Sequence, residues 1–353
     1  MLVNKTEKKQ KTMKIPIIIS VILSLVIIIL ILVFTTDTKM LYTVKVRYEF
    51  VAIAVMLNII YWILWGARLK VMSNAIDSKA NISLLGSTKI IIANLFLACI
   101  TPSMAGGEPV RIHLLNKDGM SLGCATAAVL GERLLDAVFI LLCAPIAFFI
   151  FKDYIGNDLI KVGLWIGIIV FIFGVLLFAY TIKNPEKTKS FLIFINKKLS
   201  RFTKKKKNIT IINKINTEVD NFHNSMVFFV TKGKKALFKA SFLTIIFWLS
   251  GFMIPSMLLL GLGLKPFFIE SISAQILLLL IIMMPTTPGG SGVTELGVGG
   301  LYAVLIGSSL IGVFVLLFRL ITYHMNLIAG AFFQYRIFKS VASFSVDTIK
   351  KKK

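Results

Sequence analysis

"TPSMAGGEPVRIHLL" occupies Thr101–Leu115, between one long apolar stretch and the next. Two prolines, adjacent glycines, a glutamate and an arginine do not continue a membrane-crossing helix. Proline lacks the amide proton and clashes with the preceding turn, and each charge is costly in hydrocarbon. Irregular backbone is tolerated at membrane depth only where protein or enclosed water satisfies its polar groups. The interruption therefore marks a polar cavity, and the fold depends on how the flanking segments are arranged around it.

Those flanks are apolar throughout. Hydrophobic residues make up 57% of the 353 and charged residues 16%, and Ile15–Phe34 runs twenty residues without a charge, enough to cross about 30 Å of hydrocarbon. Apolar segments fall at 15–34, 48–66, 82–103, 121–151, 160–182, 240–261, 268–287, 293–309 and 311–336. The expected fold class is all-α, a polytopic membrane helix bundle. Most of the net charge of +24 lies in the tails 1–14 and 339–353 and in the loop 183–239, which holds fifteen Lys or Arg against three acids. The positive-inside rule places both termini and that loop in the cytoplasm of a multi-pass cell-membrane protein. Because the basic residues form no folded domain, the expected partners are anionic membrane lipids and not nucleic acid. A homo-oligomer, or association with enzymes of lipid or glycan assembly, fits the same composition.

Parity then decides a topology. Five apolar segments precede the basic loop, yet two cytoplasmic ends require an even number of crossings. Segment 82–103 carries Lys89 and Asn94 and runs into the break, so residues 82–120 are predicted to enter from the cytoplasmic side, turn at Thr101–Gly107 and return. This leaves about eight crossings within a transmembrane domain spanning 15–338. A second break, "MMPTTPGGSGVTELG" at Met283–Gly297, interrupts the other half, and paired interruptions in two halves point to a transporter binding site. Inside the basic loop, Ile212, Ile215, Val219, Phe222, Met226 and Phe229 follow helical spacing, which predicts an amphipathic helix lying on the inner membrane surface.

The candidate chemistry is ionic. "GERLLDAV" places Glu132, Arg133 and Asp136 inside an apolar segment, where unpaired they would cost on the order of 8 to 10 kcal/mol, so they face a cavity or each other. Around the first break, Pro102, Gly106, Gly107 and Pro109 shape the backbone, and Glu108 and Arg111 bring charge. Free amides at a helix start beside glycines favour an anion, and Arg111 supplies a planar donor fork for phosphate. At the second break, Pro288, Gly289, Gly290 and Gly292 precede Glu295, and Arg319 lies further along. Arg111, Arg133 and Arg319 are the expected headgroup ligands; Glu108, Glu132, Asp136 and Glu295 line the cavity, orienting them or exchanging a proton. Structural pairing of these charges with one another is the plainer alternative. The sequence carries no nucleotide, metalloprotease or serine-hydrolase motif, its three histidines and three cysteines lack metal spacing, and neither metal nor cofactor is expected.

The blocks "PSMAGGEPVRIHLL", "SLGCATAAVLGERLLDAV" and "PTTPGGSGVTELG", in this order and spacing, resemble the transmembrane region of the lysylphosphatidylglycerol synthases, a flippase-like family with stand-alone members. The resemblance implies movement of a charged or glycosylated lipid between leaflets. In the bifunctional synthases a soluble aminoacyl-transferring domain follows the membrane region. Here the chain ends at Lys353, shortly after the last apolar segment, so synthase activity is not expected. The alternative is a membrane enzyme or enzyme subunit of lipid or glycan assembly that acts on a lipid phosphate.

Overall fold

The computed structural model describes residues 45–77, 80–101, 107–152, 179–202, 209–282, 289–307 and 309–333, with a few isolated positions besides. The apolar segment 15–34, most of 160–182, both basic tails, Pro102, Gly106 and Pro288 lie outside the described residues. Among the described residues every regular element is helical: α1 Tyr48–Ile76, α2 Leu84–Ile100, α3 Gly107–Lys117, α4 Leu122–Phe151, α5 Pro185–Phe202, α6 Ile209–Thr231, α7 Lys234–Gly261, α8 Phe268–Ile282, α9 Val293–Ile306 and α10 Ile311–Arg319. Through a π turn at Leu320–His324, α10 continues to Phe333. By length and composition α1, α4, α7 and the extended α10 can each cross a membrane. At 1.5 Å per residue, α2, α3, α8 and α9 reach only about 16 to 26 Å, short of a crossing.

Contacts give each long helix its direction. Arg47 N donates to Gly261 O at 2.7 Å where α1 begins and α7 ends. At their other ends, Lys70 and Asn74 face Lys235 and Lys239 across a cavity of about 410 Å³, so these two helices are antiparallel. Helix α4 also opposes α1, with Arg68 reaching Asp136 and Met72 packed at Gly131. Helix α10 runs with α1: Asn58 Nδ2 donates to Ile321 O at 3.0 Å and Trp62 Nε1 to Asn326 Oδ1 at 2.9 Å.

Between α1 and α4, helices α2 and α3 fold back on each other. Ser83 caps α2 by accepting from Gly86 N at 3.0 Å, and Gly107, the first residue of α3, lies so close to Asn94 that a Cβ there would collide with Asn94 Oδ1. The hairpin leaves from and returns to the face where α1 ends and α4 begins, the non-spanning course expected for 82–120. Between α7 and α10, helices α8 and α9 repeat the arrangement from the opposite face. Tyr302 OH lies 2.7 Å from Ser271 Oγ, and Gly297 packs against Leu278, which makes the pair antiparallel. By their apolarity, segments 268–287 and 293–309 are expected to cross twice. With 15 and 14 helical residues they form a second hairpin, and two half-crossings that return leave the parity unchanged.

Long, short, short, long thus occurs twice, in opposite senses, which is an inverted-topology repeat. The hairpin tips meet. Gly289 N donates to Thr101 O at 3.0 Å, and Tyr323 OH of α10 donates to Cys99 O at 3.2 Å. Gly289, Gly290 and Gly292 all have positive φ, the region where only glycine is unstrained.

The amphipathic helix α6 forms as expected but serves a different surface. Val219, Met226 and Phe229 are buried because α6 packs along the first turns of α4, where Glu218 Oε2 accepts from Gly123 N at 2.6 Å. At 30 residues, α4 is longer than a bilayer core, and its first turns need this cover.

Gly289→Ala introduces strain at φ 62° and a collision with Cys99 O; the expected loss is on the order of 2 kcal/mol, seen as a lowered melting temperature in detergent. Gly299→Ala, on α9 with open space where its Cβ would go, is expected to leave that temperature unchanged or raise it.

Candidate functional site

The first break brings five of the predicted residues together, along with one the sequence reading passed over. Arg68, on α1, is fully buried and sits between the acids of α4. Its Nε donates to Glu132 Oε1 at 2.9 Å, while Nη1 and Nη2 reach Asp136 Oδ1 and Oδ2 at 2.5 and 3.2 Å. Thr244 Oγ1 accepts a further bond from Nη1 at 3.0 Å, and Trp248 Nε1 donates to Asp136 Oδ1 at 2.9 Å. The guanidinium also lies 4.8 Å from the centre of the Phe247 ring. Charges desolvated to this degree are stable only when paired and hydrogen-bonded, and this pairing is complete.

Arg111 and Arg133 extend the group. Arg111 Nη1 donates to Glu132 Oε2 at 2.5 Å, so Glu132 bridges two guanidiniums. Arg133 Nε donates to Glu108 Oε1 at 2.8 Å, and its Nη1 lies 3.6 Å from Asp136 Oδ2. Both arginines approach Trp65, at 5.3 and 5.7 Å from the ring centre. The Arg133 side chain is 39% exposed, whereas Arg111 is entirely enclosed. Arg111 is nevertheless incompletely bonded: among the described residues its buried Nε and Nη2 have no hydrogen-bond partner, and neither has the buried Asn94 Oδ1. Asn94 lies beside Gly107, one turn before Arg111 on α3.

Arg319 and Glu295 form a separate pair at the second break. Arg319 Nε lies 2.9 Å from Glu295 Oε1, an ion pair by distance although the N–H does not point along it. Nη2 donates to Ser291 Oγ at 3.3 Å, and the guanidinium covers the Tyr323 ring at 4.1 Å. Glu295 also accepts from Gly292 N at 2.7 Å, capping α9 while it faces the arginine. Gly107 and Pro109 lie in the first turn of α3, and Gly289, Gly290 and Gly292 line the second turn. Among the described residues no group of three His, Cys, Asp or Glu is placed to hold a metal ion, and the three cysteines are free thiols.

A family model for the lysylphosphatidylglycerol synthase TM region matches residues 17–330, a stretch that contains both breaks and all of these ionic residues. The chain belongs to this family. A UPF0104 membrane protein of Archaeoglobus fulgidus is 30% identical over 312 residues, covering 86% of this chain and 92% of that protein. Another from Methanocaldococcus jannaschii is 28% identical, covering 80% and 83%, and one from Pyrococcus horikoshii is 22% identical, covering 80% and 85%. No solved structure matches. Membership in the synthase transmembrane-region family, together with the apolar helices, makes this a multi-pass membrane protein.

Removing Arg68 takes one guanidinium from each of two buried carboxylates, leaving Glu132 to Arg111 and Asp136 to Arg133 at 3.6 Å. Arg68→Ala is expected to lose about 3 to 5 kcal/mol of stability, whereas Arg133→Ala, at a partly exposed pair, costs about 1 kcal/mol or less. Thermal unfolding of both variants in the same detergent gives the comparison.

Proposed function

We propose that this protein carries a lipid with a phosphate-bearing headgroup between leaflets, with the headgroup passing the joined tips of the two hairpins while its tails stay in the bilayer. The observation that carries this reading is Arg111. A fully enclosed guanidinium with two nitrogens unbonded among the described residues stands one turn into α3, close to the helix start and the backbone break that precedes it. Phosphate oxygens are the ligand such a fork accepts best. A headgroup is poorly solvated in hydrocarbon, so a polar path lowers the barrier without covalent chemistry.

Several features support the same reading. Hairpins that enter from opposite faces and meet tip to tip give both leaflets access to one region. The carboxylates hold Arg68, Arg111, Arg133 and Arg319 in place, which pre-forms the site without engaging Nε and Nη2 of Arg111. Under the positive-inside rule, the face carrying α5 and α6 is cytoplasmic.

The test is reconstitution into liposomes that hold a fluorescent anionic phospholipid, scored by quenching of the outer leaflet and by the recovered lipid's mass. The expected result is faster exchange at unchanged lipid mass. Arg111→Gln should slow exchange by about tenfold or more, the equivalent of one charged hydrogen-bonding partner. Exchange no faster than in protein-free liposomes overturns the proposal, and a changed lipid mass replaces it with catalysis.

A further inference from the structure

His324 is the titratable side chain of the second break that the pairing leaves aside. It closes the π turn of α10, an irregularity that recurs at functional positions, about halfway along Ile311–Phe333. Its Nδ1 lies 3.1 Å from Arg319 O. A carbonyl oxygen only accepts, so Nδ1 carries the proton and the neutral ring presents a lone pair at Nε2. That nitrogen is buried and has no hydrogen-bond partner among the described residues. The groups facing this turn are Arg319 and Tyr323 on the same helix, Glu295 on α9 and Cys99 at the end of α2. Glu295 is engaged by Arg319 and by Gly292 N.

Charge balance gives this nitrogen a use. The two groups hold four guanidiniums, Arg68, Arg111, Arg133 and Arg319, against four carboxylates, Glu108, Glu132, Asp136 and Glu295. The site is neutral before anything enters it. A lipid phosphodiester brings one negative charge, and an uncompensated charge in a desolvated site is strongly unfavourable. Each of the four carboxylates is already paired with an arginine. Histidine changes charge in the physiological range, and protonation at Nε2 adds a single positive charge beside Arg319.

We infer that His324 takes up a proton as the lipid phosphate binds, so that anion and proton occupy the site together and the lipid moves as an electroneutral pair. The inference rests on the lipid-phosphate reading above and adds to it a coupling ion and the residue that holds it. Between the proton affinities of the free and the occupied site, binding then weakens by up to about tenfold for each unit that pH rises.

Calorimetric binding of a short-chain phosphatidylglycerol to the intact detergent-solubilised protein at about pH 8, in buffers of different ionisation enthalpy, reads proton uptake directly. The expected result is uptake approaching one proton per lipid, reduced to near zero in His324→Gln while binding persists at lower affinity. Binding of the same lipid without net proton uptake overturns the coupling and leaves the phosphate reading standing. Uptake unchanged in His324→Gln removes His324 from the role. Absence of binding by the unaltered protein removes both. The wild-type measurement needs no variant, so it decides the coupling even if the substitution impairs folding.

Discussion

A backbone broken inside a membrane has to find its hydrogen-bond partners within the protein, and here the two breaks find them in each other. Gly289 N meets Thr101 O, and Tyr323 reaches the neighbouring carbonyl of Cys99. Water that would otherwise satisfy these groups is absent from hydrocarbon, so the contact between the tips is a condition for having two hairpins at all. It also explains the glycines. A side chain at Gly289 would occupy the position of the Cys99 carbonyl, and one at Gly107 the position of the Asn94 amide. The inverted repeat, with one hairpin from each face, is the arrangement that brings two such tips to one depth.

The ionic groups follow from the same constraint. Arg68, Arg111, Glu132 and Asp136, on α1, α3 and α4, are removed from both water and lipid, and they persist because both carboxylates have a guanidinium and the bulk of the guanidinium donors have an oxygen. Arg68 ties α1, α4 and α7 into one unit, with Thr244 and Trp248 completing the shell around Asp136. Among the described residues the exceptions are two nitrogens of Arg111, Nε of Arg319, one oxygen of Asn94, one nitrogen of His324, the indole nitrogen of Trp65 and the hydroxyls of Ser73, Ser256 and Thr294. A polar atom enclosed without a partner is costly, and four of these atoms, on Arg111, Asn94 and His324, lie at the two breaks. Ligand and proton would supply the missing partners.

Much of this was legible in the sequence, for reasons that also show where reading stops. The breaks and their charges were visible because proline, paired glycines and ions contradict the apolar runs around them. Parity exposed the first hairpin, since Lys89 and Asn94 made its outer helix a poor crossing. The second hairpin carried no such mark. Residues 268–287 and 293–309 are as apolar as crossings, and only helix length separates a half-span from a full one. Arg68 was missed because it follows the apolar segment ending near residue 66, where a cation reads as a flank at the membrane surface. The signal available was an imbalance: Glu132 and Asp136 share a helix face, and Arg133 alone could not neutralise both.

The central claim is that the two hairpins enter from opposite faces. In a protein whose Cys99, Cys124 and Cys143 are replaced by serine, single cysteines at Asp118, beyond α3, and at Lys265, before α8, are both at exposed positions. A membrane-impermeant maleimide applied to sealed vesicles of uniform orientation, before and after opening them, reports the side of each. The account predicts that one position reacts only from outside and the other only once the vesicles are opened. Reaction of both from the same side contradicts the inverted repeat and the shared site built upon it.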